Sequence, residues 1–532
     1  MNDFTSVAHS KSRWPAWALD AALGVGLAAL GTCYALHITA HLDLGLYDET
    51  AYLQRGLDIP TRGLPSADMA PVYALWYWML SLFTNDPSTL YFTNYGVTMV
   101  LFPLMFFGFL RGAGTGRAAS LIVALCMIPT TLNVQNWPRV SIVALIILLA
   151  AIWAGSRIRD RDRSFAATIL ITLIATFLRP EFLLSVVLLL CIWLYVFIRG
   201  RTRPTAGQGV TVLVTLICMG LLFWCFGDPL AKGRSMIAFG QHYALNWVKA
   251  NGSGLDPWTN WEQIVASDLG HAQTFSQAFV NAPGKVLWHI GMNVSGVLSG
   301  AAKLVLPAGT RAGRFTIPLL AITLLVILLL NKNTLRLRLT LLKRPIAMIL
   351  AMSAPPLASV LLIHPREHYL LFPVCFFLAL LIAAAYPRAA RTSFSWPGML
   401  PLLMLVAVFF SVQVAQERST APVLNTVQAI NALNVIADID LLDADGGYGV
   451  YLNKPSRRHI AQEKTTGFAA LLKERSIDLI VASPRLMNDQ RYRGDPEWEQ
   501  FFSGAYAPAF RRVPVPGTET TLFVAEKALL AN

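Results

Sequence analysis

The sequence predicts an α-helical, polytopic membrane protein of about eleven transmembrane helices, with a small C-terminal α/β domain on the extracytoplasmic side. Three observations carry this. Of the 532 residues, 55% are hydrophobic and only 14% are charged, where soluble domains carry roughly a quarter charged. The mean hydropathy is +0.52. Apolar runs long enough for a helix to cross a bilayer recur from Trp17 to Gln413, whereas a barrel would show short alternating segments.

Taken in order, the expected spans are 17–38, 90–110, 118–135, 139–155, 164–178, 181–198, 209–226, 314–331, 345–363, 368–386 and 397–413. A further segment, 285–307, carries Lys285, His289, Asn293 and Lys303 and reads as interfacial or re-entrant. Charge placement decides against counting it. With eleven spans and a cytoplasmic N-terminus, eighteen Lys and Arg residues fall on the inner side. Among them are Arg157, Arg159, Arg161 and Arg163, and the run from Lys332 to Arg344. The short outer turns hold Arg139, Arg179 and Arg366. A twelfth span would put the most basic loop outside, against the positive-inside rule.

The net charge of +13 is therefore read as orienting helices and meeting anionic lipid. No basic groove interleaved with aromatics points to nucleic acid. The six cysteines fall in or beside apolar runs without metal-like spacing, so they read as packing residues. The first span reads as a signal anchor rather than a cleaved signal.

Three regions are expected on the outer face: loops 39–89 and 227–313, and a domain over 416–532 following a transmembrane domain over 1–415. In the first loop, 69–83 reads as a juxtamembrane helix. In the last domain, 424–437 and 467–475 read as helices, 449–452 and 478–482 as strands, and 510–515 with 520–525 as a hairpin around Pro516-Gly517.

Residues suited to chemistry gather on that same face. Asp48 and Glu49 follow the first span, and Asp68 shares their loop. Arg139 lies in Asn136-Trp137-Pro138-Arg139, and Arg179 in Leu178-Arg179-Pro180-Glu181. Arg366 and His368 lie in His364-Pro365-Arg366-Glu367-His368-Tyr369, and the second loop adds His242 and Tyr243. Such a set suits transfer of a sugar from a lipid phosphate. A carboxylate takes the proton of an acceptor hydroxyl, and fixed cations stabilise the charge on the departing phosphate. Arginine offers a planar, permanently charged fork for that purpose. Glu181 reads as a helix cap or a partner of Arg179.

Asp48-Glu49 with Tyr52, followed by Pro71-Val72-Tyr73 at the start of an aromatic helix, resembles the C-type (GT-C) glycosyltransferase superfamily. That superfamily includes the dolichyl-phosphate-mannose protein mannosyltransferases and the bacterial aminoarabinose transferases. The segment reads Ala70-Pro71-Val72-Tyr73 in place of the His-Pro-Pro-Leu type. The resemblance implies a polyprenyl-phosphate-sugar donor and a lipid, glycan or protein acceptor in the cell envelope. It also implies residence in the bacterial inner membrane. Asp48 matches the superfamily's catalytic aspartate, the general base, and Glu49 its acidic neighbour. Arg139, Arg179, Arg366, His368, His242, Tyr243 and Asp68 are substrate-binding candidates on physical grounds alone. No cofactor is expected; a divalent cation is the alternative if the donor is a lipid pyrophosphate. The competing functions are a lipid-pyrophosphate-oligosaccharide polymerase or ligase, and a non-enzymatic transporter of lipid-linked sugar.

Overall fold

The computed structural model describes residues 16–37, 42–134, 138–199, 205–230, 234–305, 343–386, 421–435, 438–444, 446–464, 467–489, 491–504 and 509–529, with 325, 326, 329 and 332. Its helices open with α1 (Ala16–Ala35), α2 (Asp48–Arg62), α3 (Pro71–Ser81), α4 (Pro87–Gly112), α5 (Arg117–Met127), α6 (Val140–Arg157) and α7 (Arg161–Thr176). There follow α8 (Phe182–Arg199), α9 (Ala206–Phe226), α10 (Arg234–Asn251), α11 (Trp261–Leu269), α12 (Phe275–Asn281), α13 (Pro283–Val305), α14 (Lys343–Leu362) and α15 (Glu367–Ala385).

Among the described residues, seven helices are long and apolar enough to cross a membrane: α1, α4, α6, α8, α9, most of α14, and α15. Their outward faces are greasy. On α9 only Thr215 is buried, while Leu213, Val214, Ile217, Leu221 and Trp224 are exposed. A surface of that kind is satisfied by hydrocarbon rather than water. Of the other expected spans, α5 is an eleven-residue helix where 118–135 was expected. For 164–178 there is α7, with 16 residues and Arg161, Asp162 and Arg163 in its first turn. The span at 397–413 lies outside the described residues, and 314–331 does so almost entirely. Of the segment 285–307, residues 285–305 lie within one unbroken helix, α13.

Local chemistry explains several boundaries. Asp86 caps α4 by accepting the Thr89 amide at 2.7 Å, with Pro87 in the first turn where its missing N–H is harmless. Asp160 caps α7 in the same way. Thr205 and Gln208 form a capping box at the start of α9. In the first loop, α2 buries Glu49, Thr50, Leu53 and Gly56 along one face, and lies against α3. Gly56 makes that approach possible, since a Cβ there would stand 2.4 Å from Tyr77 Cβ. The helix expected over 69–83 is present as α3, and its Tyr73 and Tyr77 are fully buried.

The C-terminal α/β unit starts with α16 (Pro422–Ala432) and has strands β1 (Ile439–Asp443), β2 (Ser456–Ile460), β3 (Leu479–Ala482), β4 (Phe510–Pro514) and β5 (Thr521–Ala525). The sheet order is β2-β1-β3-β5-β4, with β1 parallel to β2 and β3 and the remaining pairs antiparallel. One sheet face packs Leu442, Ile480 and Phe523 against Phe468, Trp498 and Phe501. The other face, through Leu441, Val481 and Val524, joins the core that continues into the first loop and the helical bundle. Here the sequence reading needs correction. The segment 449–452 is part of a 3-10 turn at 448–451 rather than a strand, and the helix expected over 424–437 stops at Ala432. The strands β1 and β2 were hidden by their charges. Asp440 of β1 pairs with Arg457 at 2.6 Å and His459 at 2.9 Å on β2.

This unit is fastened to the first loop by polar bonds. Both oxygens of Asp43 accept backbone N–H groups at the start of α16, from Val423 at 2.7 Å and Leu424 at 2.9 Å. The Tyr451 hydroxyl donates to the Gly45 carbonyl at 2.7 Å and lies 3.2 Å from Thr50 Oγ1. Gly447 sits so close to Leu46 that a Cβ would stand 2.5 Å from the Leu46 carbonyl oxygen. Losing a helix-capping carboxylate costs about 1 kcal/mol or somewhat more. Asp43→Ala is therefore expected to destabilise the protein by about 1–2 kcal/mol. It should also raise hydrogen exchange in 422–432 together with 42–50; exchange rising in neither segment would contradict the docking.

Candidate functional site

The two neighbouring carboxylates at the start of α2 have opposite surroundings. Glu49 is 1% exposed. Its Oε1 accepts from the hydroxyls of Tyr73 and Tyr77, the latter at 2.5 Å, and from Asn94 Nδ2 at 3.1 Å. Its Oε2 accepts the backbone N–H of Arg139 at 2.7 Å. Asn94 in turn takes the Trp76 indole N–H at 2.8 Å. Burial raises the Glu49 pKa above the ordinary carboxylate range, while the Tyr73, Tyr77 and Arg139 donors pull it down. The Asn94 amide and the Arg139 N–H can only donate, so the carboxyl accepts from both. Glu49 therefore ties together α2, α3, α4 and the start of α6.

Asp48 is exposed at the first residue of α2. Four residues on, Tyr52 meets Tyr73 edge-to-face with centroids 5.2 Å apart, and the Arg55 guanidinium lies 5.4 Å from the Tyr52 ring centre. Asp68 is buried in a 3-10 turn over Ala67–Met69. It enters the next helix through Ala70, whose φ is +56°.

The three arginines do different things. Arg139 is fully buried. Its Nε and Nη2 donate to Thr98 Oγ1 at 3.0 and 2.6 Å, its Nη1 donates to the Asn133 carbonyl, and it lies 4.8 Å from the Tyr95 ring centre. With those partners the whole side chain is held inside the bundle. Arg179 pairs with Glu181 at 2.6 Å, donates to Ser141 Oγ, and lies 4.5 Å from the Tyr369 ring centre. The same guanidinium is 3.4 Å from the His368 carbonyl and within electrostatic reach of Tyr52. Arg366 lies 5.3 Å from the Trp258 ring centre, and no carboxylate pairs with it among the described residues.

Around Arg366 the structure gathers three imidazoles, His242, His364 and His368, with His289 next to the first two. His242 stacks on His364 with ring centres 5.3 Å apart and meets Trp258 edge-on at 5.5 Å. His368 lies within electrostatic reach of Arg179, Arg366 and His242. His289 is held against Asn246 at 3.0 Å and the carbonyls of Leu362 and Ile363 at 3.2 and 3.1 Å. Tyr243 turns the other way and donates to Asp268 at 2.6 Å, which makes it a packing residue of the second loop. The sequence reading thus named His242, Arg366 and His368 of this cluster but left out His364 and Trp258 as site residues. It also missed the Tyr73, Tyr77 and Asn94 partners of Glu49. An asparagine inside the apolar run of α4 was the available signal. Among the described residues no group of three or more His, Cys, Asp or Glu side chains is placed to hold a metal ion, and all six cysteines are free.

No family model matches the chain, and no curated protein matches it. Among solved structures it is similar to ArnT from Cupriavidus metallidurans bound to undecaprenyl phosphate, and to the same protein in the apo state. Each shares 12% identity, with a TM-score of 0.39 over 97% of this chain and 100% of that chain.

Because Glu49 is the common acceptor of four donors, replacing it strands buried polar groups, at about 1–3 kcal/mol for each one left unpaired. Glu49→Leu is expected to cost about 3 kcal/mol or more, and Glu49→Gln less, since the amide keeps one acceptor. Thermal unfolding in lipid nanodiscs checks the ordering. A Leu variant as stable as wild type would contradict the assignment.

Proposed function

We propose that the chain is a GT-C-type glycosyltransferase of the bacterial plasma membrane, with loops 39–89 and 227–313 and the α/β unit on the extracytoplasmic side. It would take a sugar from a polyprenyl-phosphate donor and pass it to an acceptor hydroxyl on that face. The observation that carries this reading is the cluster of Arg366 and its imidazoles at the start of α15, reached from the acidic helix through Tyr52 and Arg179. A carboxylate open to solvent on α2 and a guanidinium with no carboxylate partner among the described residues lie on either side of that link.

In the proposed reaction the acceptor oxygen attacks the anomeric carbon in line with the departing phosphate, and configuration inverts. The hydroxyl proton passes to Asp48. The bond between the anomeric carbon and the phosphate oxygen breaks, leaving a polyprenyl phosphate monoester whose added charge Arg366 faces, with Arg179 behind it. Glu49 and Arg139 act as positioning residues: they hold the first turn of α2 and touch no reacting atom. The α/β unit fixes the same loop from the other side through Tyr451 and Asp43.

The test is turnover by purified protein in nanodiscs supplied with a panel of polyprenyl-phosphate sugars and an extract of envelope acceptors. General-base catalysis is worth about 10²–10⁴-fold, so Asp48→Asn is expected to lower kcat by about 100-fold or more. The variant should retain donor binding. Unchanged turnover in that variant would overturn the mechanism.

A further inference from the structure

Two of the imidazoles beside Arg366 carry nitrogens with no protein partner among the described residues. His242 is 5% exposed. Its Nδ1 lies 2.7 Å from the Ala238 carbonyl, so that nitrogen carries the proton and donates. Nε2 is left buried without a hydrogen bond, and so is Nδ1 of the stacked His364. A buried polar atom without a partner is destabilising, and two of them in one stacked pair next to a guanidinium suit an external group that supplies what they lack. Trp258, 41% exposed, stands at the edge of the pair, edge-on to His242 and under the Arg366 guanidinium.

We propose that His242, His364 and Arg366 form a proton-coupled phosphate site that holds the departing polyprenyl phosphate, each imidazole gaining a proton as the anion binds. The inference rests on the glycosyltransferase reading and assigns a place and a protonation to its leaving group. A phosphodiester donor carries one negative charge; when the sugar leaves, the monoester carries up to two. The acceptor's proton goes to Asp48, and the imidazole protons come from solvent. An anion in front of the pair supplies acceptors for both of these nitrogens once they are protonated, and gives Arg366 a counter-charge.

The electrostatics of the cluster agree with this coupling. Burial, followed by the charge of Arg366, pushes His242 down to about 3 and His364 down to about 4. The other groups facing them are all cationic or neutral imidazoles and amines: His289 and His368 for His242, and His289 and Lys249 for His364. On the packed neighbours, Asp268 is taken by Tyr243 and Lys285, and Asp256 accepts the Trp258 amide. Both imidazoles are therefore neutral at pH 7 without a ligand. The sign follows directly: a group protonated only in the bound state makes binding tighten as pH falls, by about tenfold per pH unit for each proton taken up.

Calorimetry of the full-length protein in nanodiscs tests this between pH 5.5 and 7.5, with undecaprenyl phosphate in one arm and inorganic sulfate, whose charge is constant there, in the other. The expected result is lipid-phosphate affinity that rises as pH falls, with net proton uptake when two buffers of different ionisation enthalpy are compared. The slope should flatten in the double variant His242→Gln with His364→Gln. The same slope for sulfate shows that the free anion suffices; a slope for the lipid alone shows that the tail is needed to seat it, and either supports the site. Affinity independent of pH, or equal slopes in wild type and variant, overturns it. If the variant fails to fold, absence of proton uptake by the wild type overturns it equally. Lost coupling with intact Asp48-dependent turnover would sink this inference alone. Proton-linked binding with no turnover on any donor would sink the glycosyltransferase reading and leave the anion site standing.

Discussion

The buried carboxylate of Glu49 is the interaction on which the arrangement of the site depends. Four donors from three separate elements converge on it. A charge taken out of water survives only where hydrogen bonds replace its hydration. Glu49 has those bonds, and in having them it fixes the angle at which α2 leaves α3 and meets the start of α6. Asp48, one residue earlier on the helix, points the other way as a consequence. One carboxylate serves as an internal fastener so that its neighbour can stand at the surface.

The same division runs through the arginines. Arg139 and Arg179 begin as similar residues at the ends of apolar runs, yet Arg139 is spent on Thr98 and the Asn133 carbonyl, and Arg179 on Glu181 and Ser141. Arg366 keeps its charge available because its neighbours are imidazoles and an indole. Buried cations normally demand a paired anion. A half-buried guanidinium with none among the described residues is what a site for an external anion requires.

Much of the architecture was legible in the sequence. Long apolar runs located α4, α6, α8, α9, α14 and α15, and the turn residues Pro516-Gly517 located the β4–β5 hairpin. The short helices α5 and α7 were harder, since α7 begins with three charged residues that composition alone assigns to a loop. β1 and β2 were missed because Asp440, Arg457 and His459 look like surface residues until the strands pair them. At the site, residue types were readable and directions were not. Sequence marks Asp48 and Glu49 alike, and only the packing of α2 on α3 decides which one is buried. His364 went unassigned because its partner, His242, lies more than a hundred residues away in the chain.

The account stands or falls on where residue 48 faces. An Asp48→Cys variant in intact cells and in inverted vesicles, treated with a membrane-impermeant maleimide, gives the direct answer. The expected result is labelling from the extracytoplasmic side in intact cells, slowed when undecaprenyl phosphate occupies the cation cluster. Labelling only in inverted vesicles, or labelling indifferent to the lipid, would contradict it.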